Sequence, residues 1–216
     1  PNLSFGPDVV ALAARVAPGF YRNVHLMMTR PDLYLEAFAK AGAQTIQIHV
    51  EADCDIHTEL KRIRAMGLKN AIVINPETPV EHLFPYLDEI DEALVMTVHP
   101  GYGGQKFIED SMPKVETLRR MRPNLDIMVD GGINAETALI AAKAGANQFV
   151  AGSYVQVIGV AKHYLTTDIF KVFCRQTTFD CRCCCNIHKS RCLYCTVDGY
   201  KLTSSCFSFI FYPLFG

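Results

Sequence analysis

The sequence predicts an α/β protein, a TIM-type (β/α)8 barrel of which six strands are visible, numbered 3 to 8. Three observations carry this. Apolar runs rich in Val and Ile recur six times between Asn23 and Ser153. They are nearly continuous rather than alternating, which suits parallel strands covered on both faces. Helical patterns, several closed by a glycine, lie between them. The loops after the last three runs are rich in glycine and small residues, at the strand ends where barrels keep their chemistry.

In order, "GPDVVALAARV" (6–16) reads as a helix ahead of the first run. The strands read as "NVHLMM" (23–28), "TIQIHV" (45–50), "NAIVIN" (70–75), "EALVMTV" (92–98), "DIMVD" (126–130) and "NQFVAGS" (147–153). "PDLYLEAFAKAG" places Leu33, Ala37 and Ala41 on one helical stripe and ends at Gly42, "IHTELKRIRAMG" ends at Gly67, and "AETALIAAKAG" ends at Gly145. "TPVE" (78–81) offers a capping box, with Thr78 as N-cap and Pro79 at the first helical position. "AKAGAQ" (39–44) returns as "AKAGAN" (142–147), each at a helix end leading into a strand.

Composition narrows the class. Half of the 216 residues are hydrophobic, a fifth are charged, and the net charge is −1. That balance fits an ordinary soluble globular protein and gives no footing for nucleic acid. No apolar run approaches the ~20 residues of a membrane span. Of nine cysteines only Cys54 precedes residue 170, which suits a reduced, cytoplasmic enzyme.

The candidate site gathers at the strand ends. In "IMVDGGI" (127–133) a buried run ends in Asp130, and then come two glycines. Read alone, Asp130 is either a helix N-cap or a catalytic carboxylate at the barrel mouth. Gly131 and Gly132 make room for a ligand to approach the backbone. Gly152-Ser153 ends the next strand, and "HPGYGGQ" (99–105) follows the one before. Bare N–H groups in consecutive loops of this kind suit a phosphate. His25 ends the first run and points to the same mouth. His49 sits within its strand and reads as structural, His57 and His82 read as surface residues, and His99 is ambiguous. Glu51 and Asp53 follow a strand and lie near the mouth. No lysine stands at a strand end for Schiff-base chemistry.

"VHLMM", "VMTVHPGYGGQKF", "VDGGIN" and "AGS", in this order, together with "PNLSFGP" at the start, resemble the ribulose-phosphate 3-epimerase family over residues 1 to about 155. The resemblance implies isomerisation of D-ribulose 5-phosphate to D-xylulose 5-phosphate at C3, in the pentose phosphate pathway, by two aspartates and a divalent metal (Zn, Fe, Mn or Co). Residue by residue, it implies that His25 is a metal ligand that also contacts substrate, and that Asp130 is a metal ligand and one of the two acid–base groups. Gly101, Tyr102, Gly103, Gly104, Gly131, Gly132, Gly152 and Ser153 then bind the phosphorylated sugar, and Met27 and Met96 line the pocket. His99 stands where the family often has asparagine or glutamate. A related sugar-phosphate epimerase, such as an allulose-6-phosphate 3-epimerase, and a non-catalytic phosphate-binding remnant are the alternatives. A homodimer is the assembly expected, with no membrane or nucleic-acid partner.

The family's first strand, first helix and second strand are absent from the sequence, and with them a His-x-Asp pair that carries the other aspartate. The chain starts at Pro1, so it is expected to be a fragment that begins inside the domain, and inactive as written. The partial barrel is expected over 1–173, including a last helix near 155–173. The tail, 174–216, holds eight cysteines and matches no barrel element. Cys181, Cys183, His188, Cys192 and Cys195 have zinc-binding chemistry, but three adjacent cysteines (183–185) and irregular spacing speak against it.

Overall fold

Every apolar run between Asn23 and Val150 forms a strand in the computed structural model, which describes residues 5–152 and two short strands further on, Tyr194–Val197 and Tyr200–Thr203. The strands β1 (Asn23–Leu26), β2 (Thr45–His49), β3 (Lys69–Ile74), β4 (Glu92–Met96), β5 (Asp126–Asp130) and β6 (Gln148–Val150) pair in chain order into one parallel sheet. The later two, β7 (Tyr194–Val197) and β8 (Tyr200–Thr203), form a separate antiparallel pair. Ser153, the last helix expected near 155–173 and the cysteine set Cys181–Cys192 lie outside the described residues, and of the side chain of Cys195, on β7, nothing is described.

Among the described residues five α-helices accompany the strands: α1 (Pro7–Val16), α2 (Leu35–Lys40), α3 (Ile56–Ala65), α4 (Met112–Met121) and α5 (Ala135–Ala144). The β3–β4 connection is a 3-10 helix, Val80–Tyr86, instead of an α-helix. Two local readings are corrected here. The stripe Leu33–Ala37–Ala41 does not face the core. A 3-10 turn at Pro31–Leu33 precedes α2, which rotates the register so that Leu35 and Phe38 are buried and Leu33 is 64% exposed. Thr78 caps no helix: Pro79 precedes the 3-10 segment, and the Thr78 hydroxyl donates to Glu51 Oε1. The helix α4, begun by a proline in its first turn, has no counterpart among the expected elements.

Alternation along the strands builds two apolar layers. Ile46, Ile48, Ile72, Ile74, Val95, Ile127 and Val129 face the helices, against Phe38, Leu60, Ile63, Val115, Leu118 and Ala141. Val73, Leu94, Met96, Met128 and Val150 face the other way and form a smaller core with Val98 and Met27. That second face is concave. In a flat sheet β1 and β4, three strands apart, would lie ~14 Å from each other. Yet Asn23 Nδ2 is 3.1 Å from Glu92 Oε1, and Gln47 Nε2 on β2 is 3.5 Å from Met128 Sδ on β5. Side chains meet across the sheet only because it curls as a barrel wall does.

The repeated "AKAGA" has a shared structural use. Gly42 and Gly145 both adopt positive φ, at 98° and 112°. Arg22 Nε donates to the Gly42 carbonyl at 2.6 Å, and Arg119 Nε to the Gly145 carbonyl at 2.8 Å. Two residues on, the side-chain oxygens of Gln44 and Asn147 accept from the backbone N–H of Arg22 and Ile127. The same corner thus leads into β2 and into β6.

Candidate active site

His25 is the third residue of β1, and register with Gln47 puts its side chain on the concave face. Asp130 closes β5 beside Met96 and Val150, on that face too. The two side chains are only 1% and 2% exposed, and His25 Nδ1 lies 3.7 Å from Asp130 Oδ2. Neither atom has a hydrogen-bond partner. Buried polar atoms are almost always satisfied, so a facing pair of orphans marks a place built for something else to bind.

The electrostatics agree with that. Burial pushes the Asp130 carboxyl up to about 7. Burial, and then the neighbouring His49, hold the His25 imidazole well below its ordinary range, so the ring is neutral. A carboxyl poised near neutrality exchanges protons in both directions at physiological pH. Asp130 is no helix cap: Asn134 caps α5, in a reciprocal box with Thr137.

The two glycines after Asp130 lie against the backbone of a neighbouring loop. A Cβ on Gly131 would come within 2.8 Å of the backbone N of Val98, and one on Gly132 within 2.5 Å of the backbone N of Phe107. They make room for this chain's own β4–α4 loop. Thr97 ties that loop down, with its N–H on the Asp130 carbonyl at 2.8 Å and its hydroxyl on the Gly131 carbonyl at 2.7 Å. Gly101 and Gly104 differ: both have positive φ, and nothing lies within 4 Å of where a Cβ would be. Their loop is exposed, as is Tyr102, and Gln105 clamps it by donating to the His99 and Tyr102 carbonyls. Gly152 is likewise open. Met27 and Met96 join the concave core below this mouth. His99 turns to Glu77 at the surface.

Three residues of the concave face carry more than the sequence reading assigned them. His49 Nε2 is 2.8 Å from His25 Nε2, and His49 Nδ1 is 3.2 Å from Glu51 Oε2. The signal was available: His49 and Glu51 are two apart at a strand end, so they share a face. Deeper down, Glu92 sits among Asn23 and Gln47, and burial raises its carboxyl to about 7 against the hydrogen bonds that those two amides donate.

A divalent cation is one candidate for the space between His25 and Asp130. Imidazole nitrogen and carboxylate oxygen are fitting donors, and two bonds of about 2.0–2.2 Å can span their separation. Among the described residues no cluster of three or more His, Cys, Asp or Glu side chains forms a complete site. The pair therefore fits as part of a ligand set.

Comparison with known proteins places the chain. Residues 1–156 match the ribulose-phosphate 3 epimerase family. The chain is 44% identical over 160 residues to a ribulose-phosphate 3-epimerase of Bacillus subtilis (strain 168), covering 72% of this chain and 73% of that one. It is 49% identical over 158 residues to one of Rhodobacter capsulatus, covering 72% and 68%. Among solved structures, KGPDC from Streptococcus mutans superposes with a TM-score of 0.58 at 16% identity, over 77% of each chain. A tryptophan synthase alpha-subunit from Pyrococcus furiosus superposes at 0.54 and 19% identity, over 77% of this chain and 70% of that one. These distant likenesses are of fold, an α/β arrangement of the TIM-barrel type.

Proposed function

The chain belongs to the ribulose-phosphate 3-epimerase family, and on that premise we propose that it forms one half of a C3 epimerase site for D-ribulose 5-phosphate and D-xylulose 5-phosphate. Asp130 carries the reading: a carboxyl buried at a strand end, raised to about 7, and facing an unpartnered imidazole nitrogen.

Inverting C3 needs a base on one face of the carbon and an acid on the other. Asp130 is one of the two. As carboxylate it takes the C3 proton on its own face; as carboxylic acid it returns one in the reverse direction. His25 and Asp130 would hold a divalent cation together, and the chemistry it would supply is stabilisation of the negative charge that develops at the C2 oxygen. Met27 and Met96 keep water from the reacting carbon. The open N–H groups of Gly101–Gly104, and of Gly152 beside Ser153, hold the phosphate, so that C3 stays in line with the carboxyl and less of the barrier is left to random encounter. Gly131 and Gly132 support this loop from below.

The second carboxylate belongs to a His-x-Asp strand that the 216 residues do not contain. The 216 residues alone are therefore expected to be inactive. The protein works in the cytoplasm. The test follows conversion of ribulose 5-phosphate with added Mn2+, Co2+ or Zn2+, for this chain and for one extended by the preceding strand–helix–strand. The extended chain should turn over and the short one fall at least about 10²–10⁴-fold lower. Comparable rates would show that the catalytic pair lies elsewhere, and no turnover by either would favour a non-catalytic phosphate binder.

A further inference from the structure

We propose that Glu51 and His49 are positioning residues that set the tautomer of His25, so that His25 offers a bare Nδ1 to the site. The proposal rests on the reading of His25 as a ligand-facing group, and adds what makes it one.

A chain of contacts leads from Glu51 to His25. An ionised carboxylate only accepts hydrogen bonds. Burial alone would raise the Glu51 carboxyl, but hydrogen bonds from His49, from the Thr78 hydroxyl and from the Asn75 N–H hold it down to about 2. Glu51 Oε2 therefore requires a proton on His49 Nδ1, 3.2 Å away. In its neutral form, with that one proton on Nδ1, His49 has a bare Nε2. That atom is 2.8 Å from His25 Nε2, and two lone pairs do not approach so closely, so His25 Nε2 carries the proton. A neutral imidazole has only one. Its Nδ1 is left bare, toward Asp130 Oδ2 and without a protein partner. The reverse order would set a lone pair of His49 against a carboxylate. A carboxylate that orients a ring through its far N–H is a common support for metal-binding histidines; here a second imidazole is interposed.

Glu51→Gln gives an inverted outcome. Glu51 Oε1 accepts from Asn75 N at 3.0 Å and from Thr78 Oγ1. The amide oxygen of glutamine takes over that position, which turns its NH2 toward His49 Nδ1. Both rings must then reverse, and His25 Nδ1 gains the proton. The experiment is long-range 1H–15N NMR of the 216-residue chain with 15N-labelled imidazoles and no added metal. The parent should show His25 protonated at Nε2 and His49 at Nδ1. E51Q should show both on the opposite nitrogens. Thr78→Val, which keeps the carboxylate, should retain the parent pattern. A parent with the His25 proton on Nδ1, or an E51Q chain with the parent pattern, overturns the proposal. If E51Q does not fold, His49→Phe cuts the relay: His25 should then mix its two tautomers, and a single Nε2–H form would overturn the proposal equally. Co2+ titration separates this claim from the metal reading. Affinity should fall about 10–100-fold in E51Q. A parent with these tautomers and no Co2+ affinity would sink the metal ligation and leave the relay standing.

Discussion

Replacing Gly132 by alanine should destabilise the fold much more than replacing Gly104. The two glycines have similar backbones, with φ of 62° and 77°. Each substitution incurs the left-handed penalty of an L-residue, about 1–2 kcal/mol. Their surroundings differ. The new Cβ at 132 meets Phe107 N at 2.5 Å and Phe107 Cα at 2.8 Å, whereas at 104 it meets nothing within 4 Å. Backbone atoms cannot swing aside as a side-chain tip can, so the loop must shift, at an overpacking cost of roughly 1–3 kcal/mol. With a urea slope of about 2 kcal/mol/M, the G132A midpoint should lie about 0.5–1.5 M below that of G104A. Equal midpoints would refute the view that the second glycine of "DGG" is there for packing. The same comparison assigns the phosphate test to Gly101 and Gly104, because a binding loss at Gly132 would be confounded by this strain.

Glu92→Gln should flatten the pH dependence of stability. The Glu92 carboxyl is raised by burial to about 7 in the fold and has an ordinary value of about 4.3 when unfolded. Its stabilising share is therefore full below about 4.3 and is lost as pH rises to about 7. Urea unfolding should show stability falling more over that window in the parent than in E92Q, in which Asp130 still titrates, the difference being at most about 4 kcal/mol; identical slopes would contradict it. Lys114→Met should loosen the β3–β4 connection, since Lys114 Nζ donates to the carbonyls of Asn75, Pro76 and Thr78 at 2.6–2.8 Å. Limited proteolysis should cut near 75–79 faster than in the parent, and an unchanged rate would argue against the clamp. Asn134→Ala should cost about 1 kcal/mol of stability through loss of the α5 cap, read as a lowered urea midpoint.

The strands were legible because burial on both faces leaves a continuous apolar run, and "DIMVD" was bounded to the residue. Glycine closures were legible because positive φ excludes most other residues, as at Gly42, Gly67 and Gly145. What failed was anything decided by a distant partner. Thr78 has the chemistry of a cap, but the Glu51 carboxylate, 27 residues away, takes its hydroxyl. The purpose of Gly131 and Gly132 depends on Val98 and Phe107, which no local pattern links to them. The contact of His49 with His25, on another strand, was not legible either. Helix α2 went wrong locally, where a 3-10 turn at Pro31 reset the stripe.

The proposed epimerisation stands or falls on Asp130 moving the C3 proton. Asp130→Asn keeps the side-chain shape and removes the titrating group that burial has poised near 7. The measurement is deuterium wash-in at C3 of ribulose 5-phosphate, in D2O with added divalent metal, using the chain extended by the preceding strand–helix–strand. Exchange should be slower by about 10²–10⁴-fold than in the extended parent, with the fold retained by circular dichroism. Exchange at the parent rate would contradict this and remove Asp130 from the chemistry.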